Sequence, residues 1–435
     1  MRKTVVIIGF GFCGRLAFYH LSKQKNISLI IFDKHGENFI GPAFSNFSSS
    51  YILNVPASKM SAFSNNPTDF HDFLSHNYSN LNISPDDFAP RYLYGEYLKQ
   101  ITQQAFENAQ KNNLEVKFVA QEVLKINHIT DGFEILDASQ NIYKASQVLM
   151  ATSFKQSDLR CDFDSKQLLK KLWSSEAKSF HQDISVAKHI GIIGSGLTAV
   201  DVIIGLKAKN FTGKITVISR RGNFPKKHFP SKQITLPSVI EVSDAKKGIL
   251  FICLRIREFL SKNPQFDLRH VVDSLRPITR ELWQNFDDKN KRMFWRLMPY
   301  WNIFRHRAPI SSILAIEDMI KKGQIEVRKK GLKSIEQSDD KILVKLDSET
   351  LEFDYFVNCL GFEFTAKQYP LMHQMMEDKL LEKDFVLAKS NHTSLYLLGG
   401  LNIARDFEIT SVPDLRVDVE EVVSGLVSGL KSQLQ

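Results

Sequence analysis

Cysteine is scarce in this 435-residue chain: Cys13, Cys161, Cys253 and Cys359 are all there is. They are widely scattered and form no C-x-x-C. That excludes a disulfide framework, a zinc site and a redox dithiol, and predicts a reducing, cytoplasmic compartment without a bound metal. Long apolar runs are missing too. No stretch approaches the roughly 20 residues that a membrane span requires. The apolar run after Met1-Arg2-Lys3 stops at a glycine, too soon for the core of a signal peptide. Basic residues give a net charge of +9 at pH 7, yet they are spread along the chain with no aromatic-interleaved basic motif. A nucleic-acid partner is therefore not expected. Residues 248–260, GILFICLRIREFL, read as a buried core helix, with a membrane-surface helix as the alternative.

What the chain does have is one glycine pattern used twice. Gly9-Phe10-Gly11-Phe12-Cys13-Gly14 follows the apolar run 4–8, and Gly194-Ser195-Gly196-Leu197-Thr198-Ala199 follows the apolar run 189–193. Each reads as a strand, a tight turn and the start of a helix, the arrangement that seats a dinucleotide pyrophosphate on a helix N-terminus. A single G-x-G-x-x-G is a weak signal; two in strand–helix–strand settings imply two nucleotide cofactors. The strand after the first pattern ends in Asp33, placed to accept hydrogen bonds from an adenosine ribose. The strand after the second ends in Ser219-Arg220-Arg221 with no carboxylate, which suits a 2′-phosphate because guanidinium is a bidentate, permanent cation. The residues thus predict FAD at Gly9, Gly11, Gly14 and Asp33, and NADPH at Gly194, Gly196, Thr198, Ser219, Arg220 and Arg221. The alternatives are glycine turns that bind nothing and, for the second pattern, a vestigial nucleotide domain. The densest basic clusters, Arg220-Arg221 with Lys226-Lys227 and Arg305-His306-Arg307, fit attraction of a polyanionic cofactor.

A second internal echo supports duplication. Short strands are expected at 132–136, 142–143 and 148–153, and again at 341–346, 351–353 and 356–361. Cys359 falls in the last of these and reads as core rather than as a nucleophile. The predicted fold is α/β, with two Rossmann-like dinucleotide domains. Residues 1–184 form the first part of the FAD domain, 185–365 the NAD(P) domain with a helical insert at about 244–322, and 366–435 the return segment. In that segment the apolar strand 395–398 brings Gly400 back to the flavin, and residues 414–426 read as a closing helix. The insert has room for three or four helices, with Trp283, Phe294, Trp295, Tyr300 and Trp301 as its core or, alternatively, as an aromatic substrate wall.

Several longer motifs resemble a known family. Leu53-Asn54-Val55-Pro56-Ala57-Ser58-Lys59-Met60-Ser61-Ala62-Phe63 and Pro90-Arg91-Tyr92-Leu93-Tyr94-Gly95-Glu96-Tyr97-Leu98 are similar to segments of bacterial FAD/NAD(P)-binding proteins of the YdhS-like family. So are Gly194 to Asp201, Ser219 to Gly222, Pro299-Tyr300-Trp301 with Arg305-His306-Arg307, and 409–417. The resemblance covers almost the whole chain. It implies a relation to flavin-dependent hydroxylases, urate hydroxylase among them, and to class B-type flavin monooxygenases, and it adds Arg91 to the cofactor-binding residues. The F-x-G-x-x-x-H element of Baeyer–Villiger enzymes is absent. Only Ser179-Phe180-His181 stands in that region, so ketone oxygenation is not expected.

The leading expectation is an NADPH-dependent flavin monooxygenase that hydroxylates a small molecule with dioxygen through a peroxyflavin. The difficult electron chemistry belongs to the cofactor, which accounts for the absence of a nucleophile–base pair. Asn54 and Ser61 mark the candidate flavin-facing loop, with a structural turn as the competing account. His306 and Arg307 are candidates for the cleft, against a solvated loop or pairing with a local carboxylate. The alternative functions are an NADPH oxidase or electron-transfer reductase, and a non-catalytic redox-sensing flavoprotein.

Overall fold

The computed structural model describes residues 2–45, 49–152, 155–159, 161–172, 184, 187–229, 236–363, 369–383 and 389–432. Ser153 and Ser179-Phe180-His181 lie outside these residues. The chain forms two compact units, Met1–Asn46 with Val55–Lys155 and Glu363–Gln435, and Phe47–Asn54 with Gln156–Phe362.

The first unit is built on a five-stranded parallel sheet, ordered Leu395–Leu397, Gln147–Met150, Lys3–Ile8, Ile27–Phe32, Glu115–Val119. Val5, Val6, Ile7 and Ile8 are all buried. A parallel strand covered on both faces must be a continuous apolar run, and this one is. The helix Phe12–Leu21 packs on it, and the helices Arg91–Lys111 and Val412–Ser432 pack on that helix. The last of these is longer at both ends than its expected span, 414–426. An antiparallel meander of Val123–Ile129, Gly132–Asp137 and Ile142–Ala145 leads directly into the sheet strand Gln147–Met150.

The second unit repeats the plan. Its parallel sheet runs Ile325–Arg328, Lys214–Ile218, His189–Ile193, Tyr355–Asn358, Leu168–Leu169, and its meander is Leu332–Ser338, Lys341–Leu346, Thr350–Phe353. In both sheets the glycine-turn strand lies between the strand that follows it and the strand that closes the meander. The second unit begins at Gln156, earlier than the expected boundary near 184. The cause is the strand Leu168–Leu169, which pairs with Phe356 and Val357. Residues 47–54 also join this unit, where the Tyr51 ring lies against Gly205 of the helix Leu197–Ala208.

The insert differs from its expected form. It carries five α-helices, Ile249–Lys262, Leu268–Leu275, Thr279–Asn285, Asp288–Arg305 and Ile310–Lys321. Of its five expected core aromatics only Trp283 is buried. Phe294, Trp295, Tyr300 and Trp301 all sit on Asp288–Arg305, a helix with no buried residue. The helix Ile249–Lys262 is likewise not a core helix: it buries Ile249 and Ile252 and exposes Leu250 and Leu254.

Candidate functional site

The first glycine turn starts where Gly9 adopts φ +96°, a left-handed conformation that glycine takes without strain. A Cβ on Gly9 would lie 2.7 Å from the Ala151 carbonyl oxygen, and one on Gly14 would lie 2.0 Å from the Gly9 oxygen. The turn is therefore wedged against the neighbouring strand and its own helix. Gly11 differs: an added Cβ there would meet nothing within 4 Å. It precedes the helix Phe12–Leu21 with no side chain capping it, so open space faces free helix N–H groups. Asp33 closes the arrangement. Its Oδ2 accepts the Phe10 backbone N–H at 2.8 Å and its Oδ1 accepts that of His35 at 2.9 Å. Each oxygen keeps a further lone pair.

The second turn reproduces this geometry. Gly194 has φ +100°, and its Cβ would lie 2.3 Å from the Cys359 oxygen. Gly196 is as open as Gly11 and has nearly the same backbone angles, φ −79° and ψ −168° against −75° and −158°. Gly9 N–H donates to the Phe32 carbonyl at 2.8 Å, and Gly194 N–H to that of Ile218 at 2.9 Å. Asp33 N–H donates to Val119 and Ser219 N–H to Arg328, so Asp33 and Ser219 occupy corresponding positions. The chemistry there is different. Ser195 Oγ lies 2.9 Å from Ser219 Oγ and 2.8 Å from the Asn223 carbonyl. Arg220 is exposed and has no ion pair among the described residues. Arg221 lies 5.0 Å from the Tyr300 ring centroid, stacked over it. Thr198 is half-buried in the first turn of the helix Leu197–Ala208.

The remaining candidates are dispersed. Asn54 belongs to the second unit, where its carbonyl lies 2.9 Å from His228 Nε2, while Ser61 belongs to the first. Ser61 is fully buried. Its hydroxyl donates to the Asn66 carbonyl at 2.6 Å and accepts the Phe63 N–H at 3.0 Å, and its own carbonyl accepts Arg416 Nη1 at 2.8 Å. That hydroxyl fastens the turn 61–66. Arg91 opens the helix Arg91–Lys111, and Gly400 sits in the turn Gly399–Asn402 after the strand Leu395–Leu397. His306 caps the helix Asp288–Arg305. Arg307 is buried against a local carboxylate: its Nη2 donates to Asp273 Oδ1 at 2.5 Å, with Phe229 beneath. No sequence pattern announced Asp273, which is 34 positions away.

Burial raises the thiol pKa of Cys13, with Asp418 adding to the effect, and that of Cys161 and Cys359, whereas Cys253 is exposed. Cys359 is core, as expected from its strand. Among the described residues no cluster of metal-ligating side chains occurs, and no helix is long and apolar enough to cross a membrane.

Two parallel sheets that share the order of four strands, each carrying a glycine turn, define the fold of a two-dinucleotide-binding flavoprotein. Comparison with known proteins agrees. The model of a family described as FAD-NAD(P)-binding matches residues 6–155, the stretch holding the first turn and Asp33. The reduced ornithine hydroxylase of Pseudomonas aeruginosa has a similar structure (TM-score 0.65, 14% identity, 99% of this chain and 100% of that one). So has an ornithine N-hydroxylase of Kutzneria sp. 744, in a structure with reduced FAD, NADP+ and L-ornithine (TM-score 0.65, 13% identity, 100% of both chains). The bacillithiol disulfide reductase of Staphylococcus aureus is also similar (TM-score 0.57, 13% identity, 99% of both chains). Among curated proteins no match was found.

Proposed function

We propose that this chain is an FAD-dependent, NADPH-using oxidoreductase, specifically a monooxygenase of the YdhS-like group that hydroxylates a small molecule with dioxygen. One observation carries the reading: on two matching turns, the corresponding positions hold Asp33 in one unit and Ser219, followed by two arginines, in the other. The open backbone at Gly11 and Gly196 fits a pyrophosphate in each unit. Bound flavin would supply the two-electron and dioxygen chemistry. The chain's share is to hold the two nucleotides: Asp33 takes the flavin ribose on its remaining lone pairs, and Ser219, Arg220 and Arg221 take the 2′-phosphate. The four cysteines are scattered, unpaired and without a C-x-x-C, which favours an oxygenase over a reductase that works through a redox dithiol. The likeness to ornithine hydroxylases makes small amines the first substrates to test. The deciding experiment is the visible spectrum of the purified protein, then its bleaching by NADPH without oxygen and the products on re-oxygenation. Hydroxylated amine with little hydrogen peroxide supports the monooxygenase. Peroxide alone with every amine tried makes the chain an oxidase, and a colourless protein that takes up no FAD refutes the whole reading.

A further inference from the structure

Arg15 follows the third glycine of the first turn, and it is 2% exposed, a charged side chain sunk into an apolar helix face. Its Nη1 donates to Thr102 Oγ1 at 2.6 Å, and its Nη2 donates to the carbonyls of Glu37 at 2.5 Å and Phe39 at 3.2 Å. Its guanidinium carbon lies 4.2 Å from the centroid of the Phe10 ring. One side chain therefore joins the glycine turn, the helix Arg91–Lys111 and the loop that follows Asp33.

That loop begins and ends on the glycine turn. Asp33 holds Phe10 N–H at its start, and at its end a Cβ on Gly41 would lie 3.5 Å from the Gly11 Cα. Between them the chain turns on Gly36, whose N–H donates to the Asp33 carbonyl and whose own carbonyl accepts Phe39 N–H. The two carbonyls in the middle of the loop both end on Arg15. A lysine could not replace this arrangement: a point ammonium cannot bond in two directions while laying a flat face on an aromatic ring.

We infer that Arg15 is a positioning residue for the adenosine half of the flavin, pinning the loop 33–41 that walls the groove beside Asp33 and Gly11. The inference rests on the reading of the first turn as an FAD site. It predicts a selective loss. In Arg15→Met, FAD affinity falls by about ten-fold or more, the scale of a lost charge-assisted hydrogen bond. Affinity for FMN, which lacks the adenosine, stays at the wild-type value, so the FAD-to-FMN ratio collapses. Amide exchange at 36–41 in the flavin-free protein rises while that of the central sheet does not. Arg15→Lys behaves like Arg15→Met. Thr102→Val, which removes one partner and keeps the guanidinium, gives the same selective effect at smaller size and serves should the Arg15 variants not fold. An FAD-to-FMN ratio equal to wild type in the folded variants overturns the role of Arg15 and leaves the FAD site standing. A wild-type protein that binds no flavin overturns the site itself, and Arg15's role with it.

Discussion

Asp33 and Ser219 stand at the same place in two copies of one turn, and under the proposed function the first would meet a ribose 2′-hydroxyl and the second a 2′-phosphate. Asp33 already holds the Phe10 N–H, so it shapes the turn as well as offering lone pairs to a ribose. Asp33→Ala removes both effects and should weaken FAD binding about ten-fold or more. Asp33→Asn, which can still accept from Phe10, should lose less. Fluorescence titration of the flavin-free protein measures the difference, and equal affinities in all three proteins would remove Asp33 from the site. Arg220 is exposed and Arg221 lies over the Tyr300 ring with no ion pair among the described residues, so both have donors to spare for a phosphate. The double change Arg220→Ala, Arg221→Ala should lower NADPH efficiency by roughly 10- to 100-fold and leave NADH nearly unchanged. An unaltered NADPH-to-NADH ratio would show that these arginines serve the insert instead.

Elements test the packing around these residues. Arg307 and Asp273 join the end of the helix Asp288–Arg305 to the helix Leu268–Leu275 through an ion pair between a buried guanidinium and a half-buried carboxylate. Arg307→Ala leaves the half-buried Asp273 without its partner and empties the space over Phe229, so it should cost about 1–3 kcal/mol of stability. A lower melting temperature with an unchanged KM for NADPH supports the pair as a brace. Unchanged melting and a raised KM would return Arg307 to the nucleotide site. Asp354 does similar work at the start of the strand Tyr355–Asn358: it accepts the Lys188 and His189 N–H groups at 2.6 and 2.7 Å and pairs with Lys341. Burial alone would raise its pKa, but Lys341 and the two N–H groups outweigh burial and lower it. A carboxyl whose folded pKa is depressed stabilises the protein at neutral pH and loses that effect as pH falls through the folded pKa. Asp354→Asn should therefore cost about 1 kcal/mol at pH 7, after solvent screening, with the deficit vanishing in acid. A deficit that persists in acid would assign the loss to packing. Such long-range pairs explain what the sequence conceals. The glycine turns, meanders and closing strands are legible because local spacing dictates them. The insert is legible only in part: Phe294 and Trp295 do pack on Trp283, and Trp301 on Phe294, but spacing within Asp288–Arg305 does not show that they stay half-buried and leave Tyr300 exposed. Nor could spacing reveal that Ser61 is an internal fastener, or that Arg15 reaches Thr102, 87 positions away.

At the scale of the whole molecule, duplication makes a claim stronger than either turn does alone. If the two units hold different nucleotides, damage to one turn must leave the other ligand untouched. Gly11 and Gly196 are the positions for that test, since a Cβ at either enters open space. Valine at Gly11 should fill the place of the flavin pyrophosphate and give a colourless protein that still binds NADPH. Valine at Gly196 should give a protein as yellow as wild type whose flavin NADPH no longer bleaches, though dithionite does. Each loss should exceed about 100-fold, because blocking backbone approach removes several N–H contacts together. Flavin content, NADPH binding by calorimetry and anaerobic bleaching separate the cases. If Gly196→Val lost flavin as readily as Gly11→Val, the turns would not be independent nucleotide sites. If Gly196→Val were still bleached by NADPH at the wild-type rate, the second turn would be a relic of duplication, and the reductant would enter elsewhere.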